Sequence, residues 1–198
     1  MAANNNIFII KHNDVIPSRG SLLISEPFLQ EAYFQRSVVL LVEHTKEGSM
    51  GFVLNKRTDL IVNDFFEGLE NAPKIPIYLG GPVASNKLFF IHSLGELIIP
   101  HSMPIGENLY FDGNFDVLKD YIQSGYDITD KVKFLLGYSG WEKDQLKEEI
   151  KSNSWIVSNM VTENIMKANG EAFWKHSLEC LGSKYKTWAK FPKDPDLN

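Results

Sequence analysis

Apolar positions in this chain gather in short runs, most of them too brief for helical stripes. Gly20 to Ser25 is one such run, stopped by Pro27, and Ser37 to Glu43 is a Val/Leu run of strand length. Gly51 to Asn55 is a third, and Thr45-Lys46-Glu47-Gly48 before it supplies turn residues, so the second and third runs read as a β-hairpin. The spacing then changes. Leu60, Ile61, Phe65 and Leu69 share roughly one helical face, and Thr58 or Asp59 is suited to cap a helix ending at Leu69.

Ile75 to Leu79 predicts a strand that stops at Gly80-Gly81-Pro82, and Leu88 to His92 a strongly apolar one. Leu97 to Ile99 and Asn108 to Phe111 predict shorter strands. Asn114 to Ser124 predicts a helix, with Phe115, Leu118 and Ile122 on one face and Gly125 as its stop. Lys131 to Tyr138 predicts a strand, after which Ser139-Gly140 should turn the chain. Glu142 to Lys151 is rich in Glu and Lys and reads as a helix, and Trp155 to Val157 returns to strand character. Glu171 to Leu181 is the last helix, striped by Phe173, Trp174, Leu178 and Leu181 and closed by Gly182.

The sum is about eight strands and four helices, with hairpin-like neighbours in the first half and no strict alternation. That pattern predicts an α+β fold with a mixed, largely antiparallel sheet rather than a doubly wound parallel one. No repeat, low-complexity segment or Gly/Ser linker divides the 198 residues, which points to a single domain. Phe191 to Asn198, with Pro192 and Pro195, should be irregular.

Composition narrows the picture mainly by exclusion. With 43% apolar and 23% charged residues the chain is an ordinary globular sequence, able to fold without disulfides or metal. The single Cys180 excludes a disulfide framework and reads as a packing residue or bystander thiol. The 20 basic residues against 25 acidic ones leave a formal charge of −5, which argues against a general nucleic-acid or anionic-membrane coat. No helix-turn-helix pattern with a basic recognition helix accompanies it. Met1 to Asn6 lacks the basic and apolar regions of a signal peptide, and no apolar run could span a bilayer, so a cytoplasmic location is expected.

Four features bear on chemistry. Gly137-Tyr138-Ser139-Gly140-Trp141 resembles the strand–turn–helix of a hydrolase nucleophile elbow, except that Trp141 stands where the final glycine belongs. The plainer reading is a close turn in which Ser139 caps the following helix. His44 and His92 end predicted strands, where they would hydrogen-bond loop backbone or converge on one cleft as a general base. The histidines do not have metal-pair spacing, so no metal or cofactor is expected. Gly80-Gly81-Pro82 permits close approach of a ligand or a second backbone, without the residues of a phosphate loop. Lys184 to Phe191 interleaves bases with aromatics, and reads better as a solvated tail on which Trp188 and Phe191 dock than as a nucleic-acid contact. Whether Trp141, Trp155, Trp174 and Trp188 form core or an exposed patch stays open.

Taken in order, several of these stretches resemble the YqgE/AlgH family of bacterial proteins. They are Gly20-Ser21-Leu22-Leu23-Ile24-Ser25-Glu26-Pro27, Phe34-Gln35-Arg36-Ser37 running on to His44, and Gly48-Ser49-Met50-Gly51-Phe52-Val53-Leu54-Asn55. Gly80-Gly81-Pro82-Val83, Gly137 to Trp141, Gln145-Leu146, Asn153-Ser154-Trp155, Phe173-Trp174-Lys175, Leu181-Gly182 and Asp194 to Asn198 complete the set. The resemblance covers residues 18–198 and leaves a polar extension at 1–17. It implies a bifurcated β-sheet curled into a pseudo-barrel and flanked by helices, in a cytosolic bacterial protein. The family's label of transcriptional regulator comes with no catalytic residues to carry over.

These readings favour a regulatory protein that binds a small molecule or a protein partner without catalysis, and not DNA directly. Its expected cleft is lined by His44, Asn55, Gly80, Gly81, His92, Ser139, Gly140 and Trp141. The alternatives are a hydrolase using Ser139 with His44 or His92, and an interaction scaffold presenting an apolar patch.

Overall fold

The structure, a computed structural model, describes residues 13–159 and 162–193. Its strands are β1 (Leu22–Ser25), β2 (Val38–His44), β3 (Gly48–Val53), β4 (Arg57–Ile61), β5 (Pro76–Leu79), β6 (Val83–His92), β7 (Met103–Gly106), β8 (Leu109–Phe111), β9 (Val132–Glu142) and β10 (Trp155–Ser158). The helices are α1 (Phe115–Gln123), α2 (Gln145–Lys151), α3 (Thr162–Met166), α4 (Gly170–Cys180) and α5 (Ser183–Trp188). The path of paired strands is β10-β1-β2-β3-β9-β6-β8-β7, and β5 joins β9 from the side with β4 on its outer edge. All pairs are antiparallel except β5 with β9. This is the expected α+β fold with a bifurcated sheet. The path ends at β10 and β7, so the sheet does not close into a barrel.

The bifurcation lies on β9. Its first half pairs in parallel with β5, from Ile77↔Phe134 to Leu79↔Leu136. On the same edge its second half pairs with β3, from Gly51↔Ser139 to Gly48↔Glu142. Gly80 bridges the two. Its N–H donates to Leu136 O at 2.8 Å, while its carbonyl accepts from Val53 N–H at 2.8 Å and from the Ser139 hydroxyl at 3.1 Å. A Cβ at Gly80 would stand 2.3 Å from Gly137 O. Gly137 itself has φ +68°, and its Cβ would stand 2.5 Å from Gly81 O. Glycine is therefore required on both sides of the fork.

Both faces of the β1–β2–β3 region are covered, which is why Val38 to Val42 is uniformly apolar and fully buried. Leu22, Leu40 and Phe52 face Trp174 and Leu178 of α4 and Trp188 of α5. Leu23, Val39 and Leu41 face Leu146 and Ile150 of α2, with Trp141 and Trp155. A third cluster joins Ile77, Phe90 and Phe134 to Leu118 and Ile122 of α1. The β10 edge is capped by Asn13, whose side chain both donates to Val157 O (2.6 Å) and accepts from Val157 N–H (3.2 Å).

Several expectations need correction. The predicted helix from Thr58 to Leu69 is strand β4 followed by a 3-10 turn, Val62–Asp64. β-Branched Thr58, Ile61 and Val62 weaken a helix there, and β4 finds a partner in β5. The Asn63 amide then organises the loop, donating to Leu69 O (2.8 Å) and Ala72 O (3.1 Å) and accepting from Ile75 N–H (2.9 Å). Leu97 to Ile99 is a turn closed on Gly95 O, with Leu97 fully exposed. Ser139-Gly140 does not turn, because β9 continues to Glu142. Lys184 to Phe191 is mostly helix α5 rather than tail, although Trp188 docks as expected, 1% exposed. β7, α3 and α5 are additional elements.

All four tryptophans are buried, at 0–5% exposure, so they are core. Cys180 does not pack: it is exposed, and its sulfur lies 3.5 Å from Nε2 of His176. The readings of Met1 to Asn6 and of the last residues from 194 onward lie outside the described residues.

Candidate functional site

The eight residues expected to share a cleft do not converge. Gly80, Gly81, Ser139 and Gly140 lie together at or beside the sheet fork, where they serve the backbone. Ser139 is fully buried and donates to Gly80 O, so its hydroxyl is neither exposed on a turn nor held by helix N–H groups. His44 is exposed and its Nδ1 lies 2.7 Å from the Ser49 hydroxyl, across the β2–β3 hairpin. His92 faces Asp112. The serine–histidine pairing that a hydrolase would need is therefore not formed with Ser139.

Asn55 is 2% exposed and clamps the fold. Its Oδ1 accepts from Val38 N–H at 2.9 Å, and its Nδ2 donates to Arg36 O (3.0 Å) and Gly170 O (2.9 Å). Trp141 is 5% exposed, and its indole N–H donates to Glu149, which also accepts from Trp155. Trp141 and Gly140 do border an open cavity of about 610 Å³ with Met50, Tyr138 and Val83. His44 borders a neighbouring one of about 420 Å³ with Ile16 and Leu146.

A more apolar concavity than these two lies elsewhere, over the third core cluster. It holds about 620 Å³ and is lined by Leu60, Phe65, Phe66, Ile77, Leu88, Phe90, Phe115, Phe134 and Leu136, with Ser85, Asn86 and Asp112 as its polar members. Each wall follows from a local feature. β4, being a strand, brings Leu60 to the rim, and the turn after it presents Phe65, 58% exposed. β6 bulges: Val83 pairs with Tyr138 and Leu88 with Leu136, so the four residues Ala84 to Lys87 oppose Gly137 alone. That bulge carries Ser85 and Asn86 to the mouth. It passes so close to Gly137 that a Cβ there would stand 3.3 Å from Ser85 Cα. The rings of Phe66 and Phe115 (4.5 Å), Phe115 and Phe90 (6.3 Å), and Phe90 and Phe134 (5.9 Å) form a continuous aromatic wall.

Asp112 is the single titratable group in this lining. It sits in the left-handed region (φ +54°) between β8 and α1, with its N–H donating to Phe90 O at 2.8 Å. Burial pushes its carboxyl pKa up, against a hydrogen bond from Gly113 N–H that lowers it. Among the described residues no cation forms an ion pair with it. His92, fully buried and stacked on Tyr110 at 5.5 Å, brings Nε2 within 3.1 Å of Asp112 O. Burial lowers the His92 pKa, which keeps the ring neutral near pH 7. His92 thus reaches the site as a support for the Asp112 backbone. Its Nδ1 is buried with no hydrogen-bond partner among the described residues.

Sequence reasoning missed this pocket. The helical spacing puts Phe65 on the apolar face of a helix, and the Phe65-Phe66 doublet is the available signal. Nothing in the sequence marked Asp112. Among the described residues no group of three or more His, Cys, Asp or Glu is placed to hold a metal, and no helix is long and apolar enough to cross a membrane.

Comparison with known proteins adds the following. A family profile described as AlgH-like matches residues 22–186. A UPF0301 protein of Parabacteroides distasonis is 65% identical over 198 residues, the whole of both chains. One from Bacteroides thetaiotaomicron is 47% identical, again over the whole of both. The solution structure of the AlgH protein from Pseudomonas aeruginosa superposes with a TM-score of 0.68 at 28% identity, covering 91% of this chain and 98% of that one. The crystal structure of protein DIP2367 from Corynebacterium diphtheriae gives 0.75 at 19% identity, covering 91% and 95%.

Proposed function

The chain belongs to the AlgH-like family, and we propose that it is a regulatory binding protein, working by capture of a small apolar ligand in the Phe-lined pocket. The observation that supports this most is the pocket itself. About 620 Å³ of space, walled by five phenylalanines and rimmed by the half-exposed Phe65, is the size and character of a small-molecule site. Its polar groups are few, Ser85, Asn86 and Asp112 against nine apolar residues, as in small-molecule sites. Capture rather than turnover fits the lining, because among the described residues no hydrogen bond joins the Ser85 hydroxyl to the Asp112 carboxyl. The −5 charge favours transmission through a small molecule or a protein partner over contact with DNA.

The test is occupancy. Small aromatic compounds should raise the melting temperature, since a ligand that binds only the folded state stabilises it by about 2.7 kcal/mol at a hundred times Kd. Their addition should shift NMR methyl signals of Leu60, Ile77, Leu88 and Leu136. Ser85→Trp, which places a ring over the mouth from an exposed position on the bulge, should abolish both effects while leaving the protein folded. Shifts confined to residues around His44 or Gly140 would refute the assignment.

A further inference from the structure

We infer that the ligand class of this pocket is an organic cation: an apolar body carrying a protonated amine, the body against the phenylalanine rings and the ammonium at Asp112. The inference rests on reading the pocket as a binding site. Three independent features of the structure lead to it.

The first is the wall. Phe65, Phe66, Phe90, Phe115 and Phe134 supply ring faces whose quadrupoles attract a cation, and Phe66, Phe115, Phe90 and Phe134 adjoin one another. The second is Asp112. A carboxylate partly removed from water, with no cationic side chain paired to it among the described residues, is left with part of its desolvation cost unmet, which a ligand's charge would offset. The fold takes care to hold it there: Phe90 O fixes its N–H, His92 its carbonyl and Gly113 its carboxyl. The third is the surrounding charge. Asp59, Asp64, Glu67 and Asp116 are exposed carboxylates, each adjacent in the chain to a lining residue. Of the lysines so placed, Lys87 is exposed, and Lys133 turns its amine away to Leu54 O and Ala168 O. Four exposed carboxylates so placed against the one exposed amine of Lys87 make a balance that favours the approach of a cation.

The experiment titrates the folded protein with three probes of one shape: phenylpropylamine, phenylpropanol and phenylpropanoate. Binding is read by NMR shifts of the pocket residues and by calorimetry. The amine should bind about tenfold or more tighter than the alcohol, with the carboxylate weakest. Asp112→Asn should bring the amine to the affinity of the alcohol and leave the alcohol unchanged. Asparagine tolerates the left-handed backbone and keeps an acceptor for Gly113 N–H, so this variant removes charge and little else. Equal or tighter binding of the alcohol or the carboxylate at the pocket would overturn the cation assignment while leaving the pocket as a binding site. An amine preference that survives in Asp112→Asn would overturn the role of Asp112. Absence of pocket shifts with all three probes would refute both the cation inference and the pocket reading.

Discussion

Lys133, 3% exposed on β9, carries its Nζ 3.3 Å from the centre of the Tyr78 ring. It donates to Ala168 O at 2.7 Å and Leu54 O at 3.3 Å. Burial lowers its pKa to about 7, with Asp130 pulling it up and Arg57 pushing it further down. The unfolded chain holds that proton up to about pH 10.4, so between the two values it binds more protons than the native state. Stability contributed by this group therefore rises with pH from 7 to about 10 and is flat below. Lys56, lowered to about 8 by burial and by Lys193, acts in the same direction but starts higher and is more exposed. The urea midpoint should climb from pH 7 to about 9.5. Lys133→Met should remove the part of the climb between pH 7 and 8 and leave a smaller one above it. A flat wild-type profile would contradict the burial argument.

Helix α4 is anchored less by its own sequence than by Arg36. That residue is 5% exposed, lies with its guanidinium 4.9 Å from the Trp174 ring, ion-pairs with Glu171 and donates to Phe191 O at 2.6 Å. It therefore ties the approach to β2, the first turn of α4 and the segment after α5 to one point. Glu171 also meets Lys175 at 2.9 Å and Lys193 at 3.5 Å, both well exposed. The two kinds of pair are not equivalent. Glu171→Ala leaves a buried guanidinium without its counter-ion and should cost about 3 kcal/mol. Lys175→Ala removes one surface partner and should cost about 0.5 kcal/mol or less. Chemical denaturation of the two variants tests this, and equal losses would show that the burial of Arg36 does not matter.

At the scale of the whole molecule, β9 is the shared member. Its eleven residues pair with β3, β5 and β6, so the region packed on α2, α4 and α5 cannot lose its edge without disturbing the pocket region packed on α1. Unfolding should therefore be a single cooperative transition. Tryptophan fluorescence reports only on the first region, because Trp141, Trp155, Trp174 and Trp188 all lie there. Methyl NMR signals of Ile77, Leu118 and Ile122 report on the second. Their urea curves should superimpose, and two separated midpoints would mean that β9 does not couple the halves. Ligand bound in the pocket should then raise the fluorescence midpoint as well, although no tryptophan lines it.

Local chemistry was enough for the elements that carry their own instructions. Val38 to Glu43 and the turn after it specify a hairpin by run length and turn residues, and Asn114 caps α1 by accepting from Val117 N–H as its type suggests. The family came from the resemblance of the ordered motifs and not from those rules, which reached the fold class. They failed where a distant partner outweighed a local preference. The stretch from Thr58 to Leu69 has a helical spacing of apolar residues, yet β5 offers β4 a backbone ladder. Ser139-Gly140 looks like a turn, yet β3 pairs with it and keeps β9 straight. The glycines and Ser139 looked like a cleft because a close approach to a ligand and one to a neighbouring strand ask for the same absence of side chain. The pocket was beyond local rules for a related reason. Its wall is drawn from β4, β5, β6, β9, α1 and two connecting segments, which meet only after the sheet has forked.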